Sequence, residues 1–196
     1  MTKDQEFAKL VRVACHDLMT PLATVTGFAQ TLERLELGEP AGRYLEMVNA
    51  ASDQLRELVE QLRVVAEIEE GRYNPALAEV DSLELARKAA ERLDEGRVRV
   101  SGRGEPVYLP PEAAERAVAQ LARAVSRHGG HDHVDLEVLG SELVISPLSE
   151  SAAPVVMGDK PLELGAPASA ALIRAVGGSL AAEDGRLTIR LPTGSA

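Results

Sequence analysis

The chain has 196 residues, 21 basic against 31 acidic, a formal net charge of −10, one cysteine, three Tyr, two Phe and no Trp. That length allows one or two compact units, and a single Cys excludes an intramolecular disulfide framework and Cys-rich zinc modules and fits a reducing compartment. The negative balance argues against nucleic acid or an anionic membrane surface as a partner, and the 45% hydrophobic and 27% charged content is globular. No apolar run is long enough for a membrane span and the start lacks a signal-peptide layout, so a cytoplasmic protein is expected.

From Phe7 the weakly polar and apolar residues fall at Val11, Ala14, Leu18, Pro21, Val25, Phe28, Leu32 and Leu35, alternating steps of four and three. This is a heptad stripe on a long helix. After Gly38-Glu39-Pro40-Ala41-Gly42 the pattern resumes at Tyr44, Val48, Ala51, Leu55, Leu58, Leu62 and Val65, and Gly71 suits the end of the second helix. Two such helices with a short turn form an antiparallel hairpin. Further apolar positions at Leu10, Leu22, Leu45, Val59 and Ala66 widen the stripe beyond a two-helix seam, which predicts pairing with a second copy through residues 5–70 into a four-helix bundle.

Beyond Tyr73 the period changes. Residues 82–94, 111–128 and 166–176 read as helices, and Val98–Ser101, Pro106–Leu109, His133–Leu139, Glu142–Ser146, Ser179–Glu183 and Leu187–Leu191 as strands bounded by Gly, Pro and Asp. The expected class is α+β: a helical hairpin over 1–72, then a small sandwich of helices on one sheet over 73–196.

With Val11 and Leu18 at position a of the heptad, His16 takes position f, away from the stripe, Asp17 takes g, and Thr20 follows His16 by one turn on the same face. Pro21 removes the helical hydrogen bond to the Asp17 carbonyl and predicts a kink just past the histidine. Cys15, at position e, reads as a small, partly buried residue. A neutral imidazole is a nucleophile, and a neighbouring carboxylate fixes its tautomer.

His16-Asp17-Leu18-Met19-Thr20-Pro21-Leu22, followed by a second long helix, resembles the phosphoacceptor box of bacterial two-component sensor histidine kinases. The resemblance covers residues 5–70 and departs at Met19, where the family usually has a basic residue. It implies that His16 is phosphorylated, that Asp17 hydrogen-bonds and tunes it, and that Thr20 orients water when a partner's phosphoaspartate is hydrolysed. The chain offers few groups near His16 that could stabilise a phosphoryl group, so Mg²⁺ and the cationic groups for transfer are expected to come from the partner.

From Leu18 to Leu32 no residue is charged, where about four would be expected from the composition. The outward positions there, Thr20, Ala23, Thr24, Gly27, Gln30 and Thr31, are small and uncharged. Such a surface beside a reactive histidine reads as a docking site for a response-regulator receiver domain.

Residues 81–192 resemble the family's ATP-binding domain in order of elements, but its functional boxes are missing. Where the family has a cation-holding Asn before an Ala, Arg123 precedes Ala124; where it has an Asp-x-Gly-x-Gly turn, the chain reads Ser146-Pro147-Leu148-Ser149-Glu150. Of the glycine-rich phosphate loop only Gly165 remains, before Ala166-Pro167, and 147–167 is short for an ATP lid. Backbone amides approach phosphate oxygens closely only where glycine permits, so the sandwich is expected to lack productive ATP binding and to hold no cofactor. His128, His131 and His133 with Asp132 have metal-ligand chemistry, though a solvated helix-to-strand turn accounts for them better.

Three functions follow: a histidine phosphotransfer protein that carries phosphate on His16 between receivers, an ATP-dependent kinase or phosphatase core with divergent ATP boxes, or a non-enzymatic regulator that binds a receiver or kinase.

Overall fold

The computed structural model describes the backbone of residues 3–34, 38–93, 96–160 and 162–194, and their side chains apart from residues 3–7, 9, 10, 13 and 14. The side chains of Phe7, Leu10 and Ala14, and Leu35 and Asp94 altogether, therefore lie outside the described residues. The chain divides into two compact units, Met1–Arg72 and Tyr73–Ala196.

The first unit is a helical hairpin, α1 (Lys3–Glu33) and α2 (Ala41–Glu69). Helix α1 runs through Pro21 without interruption, so the proline breaks one hydrogen bond and not the helix. The residues that close the hairpin differ from the a and d stripe. Buried on α1 are Ala8, Cys15, Leu22 and Ala29, and on α2 Leu45, Ser52, Val59 and Ala66, each set repeating every seven residues at heptad position e. A flanking layer at position b is polar. Arg12 Nε lies 3.4 Å from Glu70, Arg56 Nη2 donates to Thr26 Oγ1 at 3.1 Å, and Asn49 Nδ2 donates to Glu33 at 3.1 Å. Fourteen then seven residues forward on α1 match fourteen then seven back on α2, a constant antiparallel register.

The stripe read from the sequence as the packing seam is left outside. Leu18, Val25, Phe28 and Leu32 on α1, and Tyr44, Val48, Leu55 and Leu58 on α2, are 43–68% exposed, as is Met47 at the neighbouring position g. The positions counted as mere widening, Leu22, Leu45, Val59 and Ala66, are the ones the hairpin buries. Small residues at e let the two helices approach closely and leave the larger a and d side chains unused within the unit.

The second unit opens with β1 (Ala78–Asp81) and α3 (Ser82–Glu91), then β2 (Val98–Gly104), β3 (Pro106–Leu109), α4 (Pro111–Gly129), β4 (Val134–Gly140), β5 (Glu142–Ser146), α5 (Ala153–Met157), α6 (Gly165–Ala175), β6 (Ser179–Glu183) and β7 (Arg186–Arg190). Five strands form one sheet in the order β2-β4-β5-β7-β6, while β1 and β3 pair antiparallel apart from it. Strand β2 runs parallel to β4 through the α4 crossover, and the remaining pairs are antiparallel. In β4 the alternation is plain: Val134, Leu136 and Val138 are buried, Asp135, Glu137 and Leu139 exposed. The core lies on that inner face, where Leu136, Leu143, Ile145, Leu187 and Ile189 meet Leu85, Leu121 and Ile173 of the helices, all under 2% exposed. The α+β class expected from the sequence is the one observed.

Local chemistry explains the boundaries. Asp81 caps α3, its carboxylate accepting from Leu83 N at 2.9 Å and Glu84 N at 3.0 Å, and Pro111 occupies the first turn of α4. Gly102 has φ of +103°, and a Cβ there would overlap the Val138 carbonyl on the adjacent strand. Among the described residues, no helix is long and apolar enough to cross a membrane.

Candidate functional site

His16 stands on α1 with 85% of its side chain exposed, beside Asp17 at 75%. Nδ1 of His16 is 3.3 Å from Oδ1 of Asp17. A carboxylate accepting from Nδ1–H leaves the lone pair on Nε2, the tautomer in which that exposed nitrogen is nucleophilic. Thr20 is exposed one turn on, and its carbonyl accepts the Thr24 hydroxyl at 3.1 Å.

The docking residues expected from the sequence are all exposed: Ala23, Thr24, Gly27, Gln30 and Thr31. The Thr24 and Thr31 hydroxyls donate to carbonyls one turn back, those of Thr20 at 3.1 Å and Gly27 at 2.7 Å. Their polar atoms are satisfied within the helix, and what remains for a partner is chiefly small and apolar. A Cβ added at Gly27 would meet nothing within 4 Å, so that surface is open.

The hairpin seam changes the setting of His16. Position f is remote from the a and d stripe, yet it borders position b, where Arg12 and Met19 face α2. Opposite Met19 by the register above is Arg63, whose Nε and Nη2 donate to Glu60 at 2.9 and 2.6 Å and whose Nη1 donates to Glu67 at 2.6 Å. These hydrogen bonds, Glu60 first, hold its guanidinium firmly protonated. Sequence reasoning missed Arg12, Arg63 and Glu70; the signal for them was the seven-residue spacing of Cys15, Leu22 and Ala29 on α1 against Ser52, Val59 and Ala66 on α2. Cys15 is 1% exposed and burial pushes its thiol up, an inert core residue.

In the second unit the positions compared with ATP boxes make the following contacts. Arg123 lies 3.4 Å from both Gln120 Oε1 and the Arg92 carbonyl, while Ala124 is fully buried. After β5, Leu148 N donates to the Gly185 carbonyl at 2.7 Å, and the chain turns into α5, whose Val155 and Val156 are fully buried with the preceding Ala152. Gly165 begins α6 against α4: a Cβ there would sit 2.9 Å from Gln120 Oε1.

The histidine-rich turn does not converge. Nε2 of His128 lies 3.4 Å from Glu163, which Arg127 engages at 2.9 Å, while the His131 carbonyl accepts from Ser126 Oγ at 2.6 Å and His133 is exposed. Among the described residues no group of three or more His, Cys, Asp or Glu is placed to hold a metal.

Residues 8–71 match the His Kinase A (phospho-acceptor) domain family. No curated protein matches the chain. By fold it is similar to full-length ShkA in complex with AMPPNP, with 20% identity, a TM-score of 0.67, 96% of this chain covered and 46% of that one. It is similar also to the Acinetobacter baumannii histidine kinase AdeS, with 18% identity, a TM-score of 0.56, and 92% and 98% of the two chains covered. The chain spans about half the length of ShkA.

Proposed function

We infer that a chain with a His Kinase A (phospho-acceptor) domain at residues 8–71 and the fold of histidine kinases over nearly its whole length, and so histidine-kinase-like, takes and passes a phosphoryl group at His16. The observation that carries this is a fully presented imidazole whose Nδ1 faces a carboxylate at 3.3 Å, beside an exposed helix face without charge. In this reading the group comes from the aspartyl phosphate of a receiver domain that docks over Ala23, Thr24, Gly27, Gln30 and Thr31. Nε2 forms a bond to phosphorus as the bond to the aspartate oxygen breaks, and the carboxylate leaves with the electron pair. Asp17 retains the Nδ1 proton and offsets the positive charge that grows on the ring. Mg²⁺ belongs to the receiver, and Thr20 orients the water that attacks phosphorus when a receiver's phosphoaspartate is hydrolysed instead, the aspartate leaving with the electron pair. The work is cytoplasmic, where receivers operate.

Dimerisation is part of the reading. A patch of nine large apolar side chains on the hairpin exceeds what a monomer ordinarily exposes, and the a and d spacing of eight of them suits a four-helix bundle with a second copy.

The phosphotransfer route without ATP is supported by the second unit's chemistry: no Asn at Arg123-Ala124, no Gly in 146–150, and α5 and Gly165 packed onto neighbouring helices. The second reading, an ATP-dependent kinase or phosphatase core, has the more direct backing from the comparisons, because AdeS is a histidine kinase and ShkA was captured with AMPPNP. Labelled ATP with Mg²⁺ separates the two. The phosphotransfer reading expects no label on the chain from ATP alone and label at His16 from a phosphorylated receiver; label from ATP that disappears in His16→Gln establishes the kinase instead, and binding without labelling from either source leaves a regulator.

A further inference from the structure

We propose that Arg12 is a phosphoryl-binding residue, held in reserve by Glu70 and transferred to the phosphoryl group once His16 carries one. This rests on the reading of His16 as the acceptor. Arg12 precedes His16 by one helical turn on the same face. Helical side chains lean toward the N-terminus, so the imidazole overhangs the turn that carries Arg12, while Arg12 itself leans the other way in its tether to Glu70 and must swing back along the helix to reach a group on His16. Between residues 12 and 20 Arg12 is the sole Lys or Arg.

Its present tether is slight. Nε lies 3.4 Å from both Glu70 oxygens, a long contact, and among the described residues Nη1 and Nη2 have no hydrogen-bond partner. The contrast with Arg63 across the same edge is informative, since Glu60 and Glu67 engage all three of its nitrogens at 2.6–2.9 Å. Arg63 is committed to structure; Arg12 has its fork open. Arg12 is also 31% exposed on its side chain while Glu70 is 8% exposed, so the guanidinium is partly sheltered from water, where a charge pair is screened less. Releasing it strands no carboxylate, because Arg72 Nη1 stands 3.5 Å from Glu70. A phosphoryl group on nitrogen presents three oxygens and close to two negative charges, the geometry and charge that a guanidinium fork fits best.

The test uses the full chain and phosphoramidate, a chemical donor that needs no receiver. The imidazole nitrogen bonds to phosphorus while the donor's P–N bond breaks, ammonia leaving with the electron pair and taking a proton from water. Occupancy at His16 is read by mass spectrometry, and the titration of the bound phosphoryl group by ³¹P NMR. Arg12→Gln is expected to lower steady-state occupancy about fivefold and to move the phosphoryl titration to higher pH, because the cation favours the dianion. Arg12→Lys restores most of both. Arg56→Gln, which removes a seam cation two heptads away on the same edge, leaves both unchanged. Equal occupancy and titration in wild type and Arg12→Gln overturn the proposal, as does an equal loss in Arg56→Gln. A wild type that gains no phosphoryl group at His16 overturns the underlying reading instead.

Discussion

Replacing Leu55 with Glu tests the unpaired face of the hairpin. Leu55 is 52% exposed in the single chain, so the substitution costs little within one hairpin. Fully burying a Leu contributes roughly 1.5–3 kcal/mol, and covering its exposed half on the order of 1 kcal/mol. A glutamate at the same place must also lose water, at a cost of several kcal/mol per ion when no partner is supplied. A two-fold interface counts each change twice. A loss of about 4 kcal/mol or more follows, at least a thousandfold in Kd. Sedimentation velocity or size exclusion with light scattering, from sub-micromolar to about 50 µM, reads it, with far-UV circular dichroism as the folding control. The wild type is expected as a dimer and Leu55→Glu as a folded monomer. A wild type that stays monomeric throughout, or a variant that dimerises as tightly, refutes the reasoning.

Gly27→Arg is expected to block receiver-dependent labelling of His16 with the melting temperature unchanged, since a side chain there meets nothing in its own chain. Gly102→Val, at a φ of +103° and with its Cβ overlapping the Val138 carbonyl on the adjacent strand, should destabilise the second unit by about 1–3 kcal/mol in urea denaturation. Cys15, buried and with its thiol pushed up, has less thiolate than an ordinary cysteine at pH 8; iodoacetamide should modify it slowly in the native chain and rapidly in guanidinium, and equal rates would contradict the buried seam.

The hairpin was legible because it writes itself in periodic form. Alternating steps of four and three announced two helices and set the phase of His16, Asp17 and Thr20 on the first, while the roles proposed for them rest on the resemblance of residues 16–22 to a phosphoacceptor box. The seam was misread for a physical reason: large residues at a and d dominate a hydrophobic pattern, whereas the hairpin closes on Ala, Ser, Cys and a few Leu and Val at e, a weak apolar signal with a strong spacing. In the second unit, β4 through β7 carried alternation or β-branched runs and were placed within a residue or two. Strand β1, Ala-Glu-Val-Asp, was missed because it is four residues long, mostly exposed, and held by pairing with β3 rather than by a buried face. Helix α5 was missed because its five residues begin at Ala153-Pro154 and owe their shape to the burial of Val155 and Val156. Short elements of this kind are specified by tertiary packing.

The central claim is tested most directly by offering the purified chain a panel of receiver domains already charged with labelled phosphate, in the absence of ATP. The account predicts that at least one receiver passes acid-labile label to the wild type within the time of mixing, and that His16→Gln receives none. Label on His16→Gln equal to that on the wild type, or an unlabelled wild type with every receiver, would contradict it.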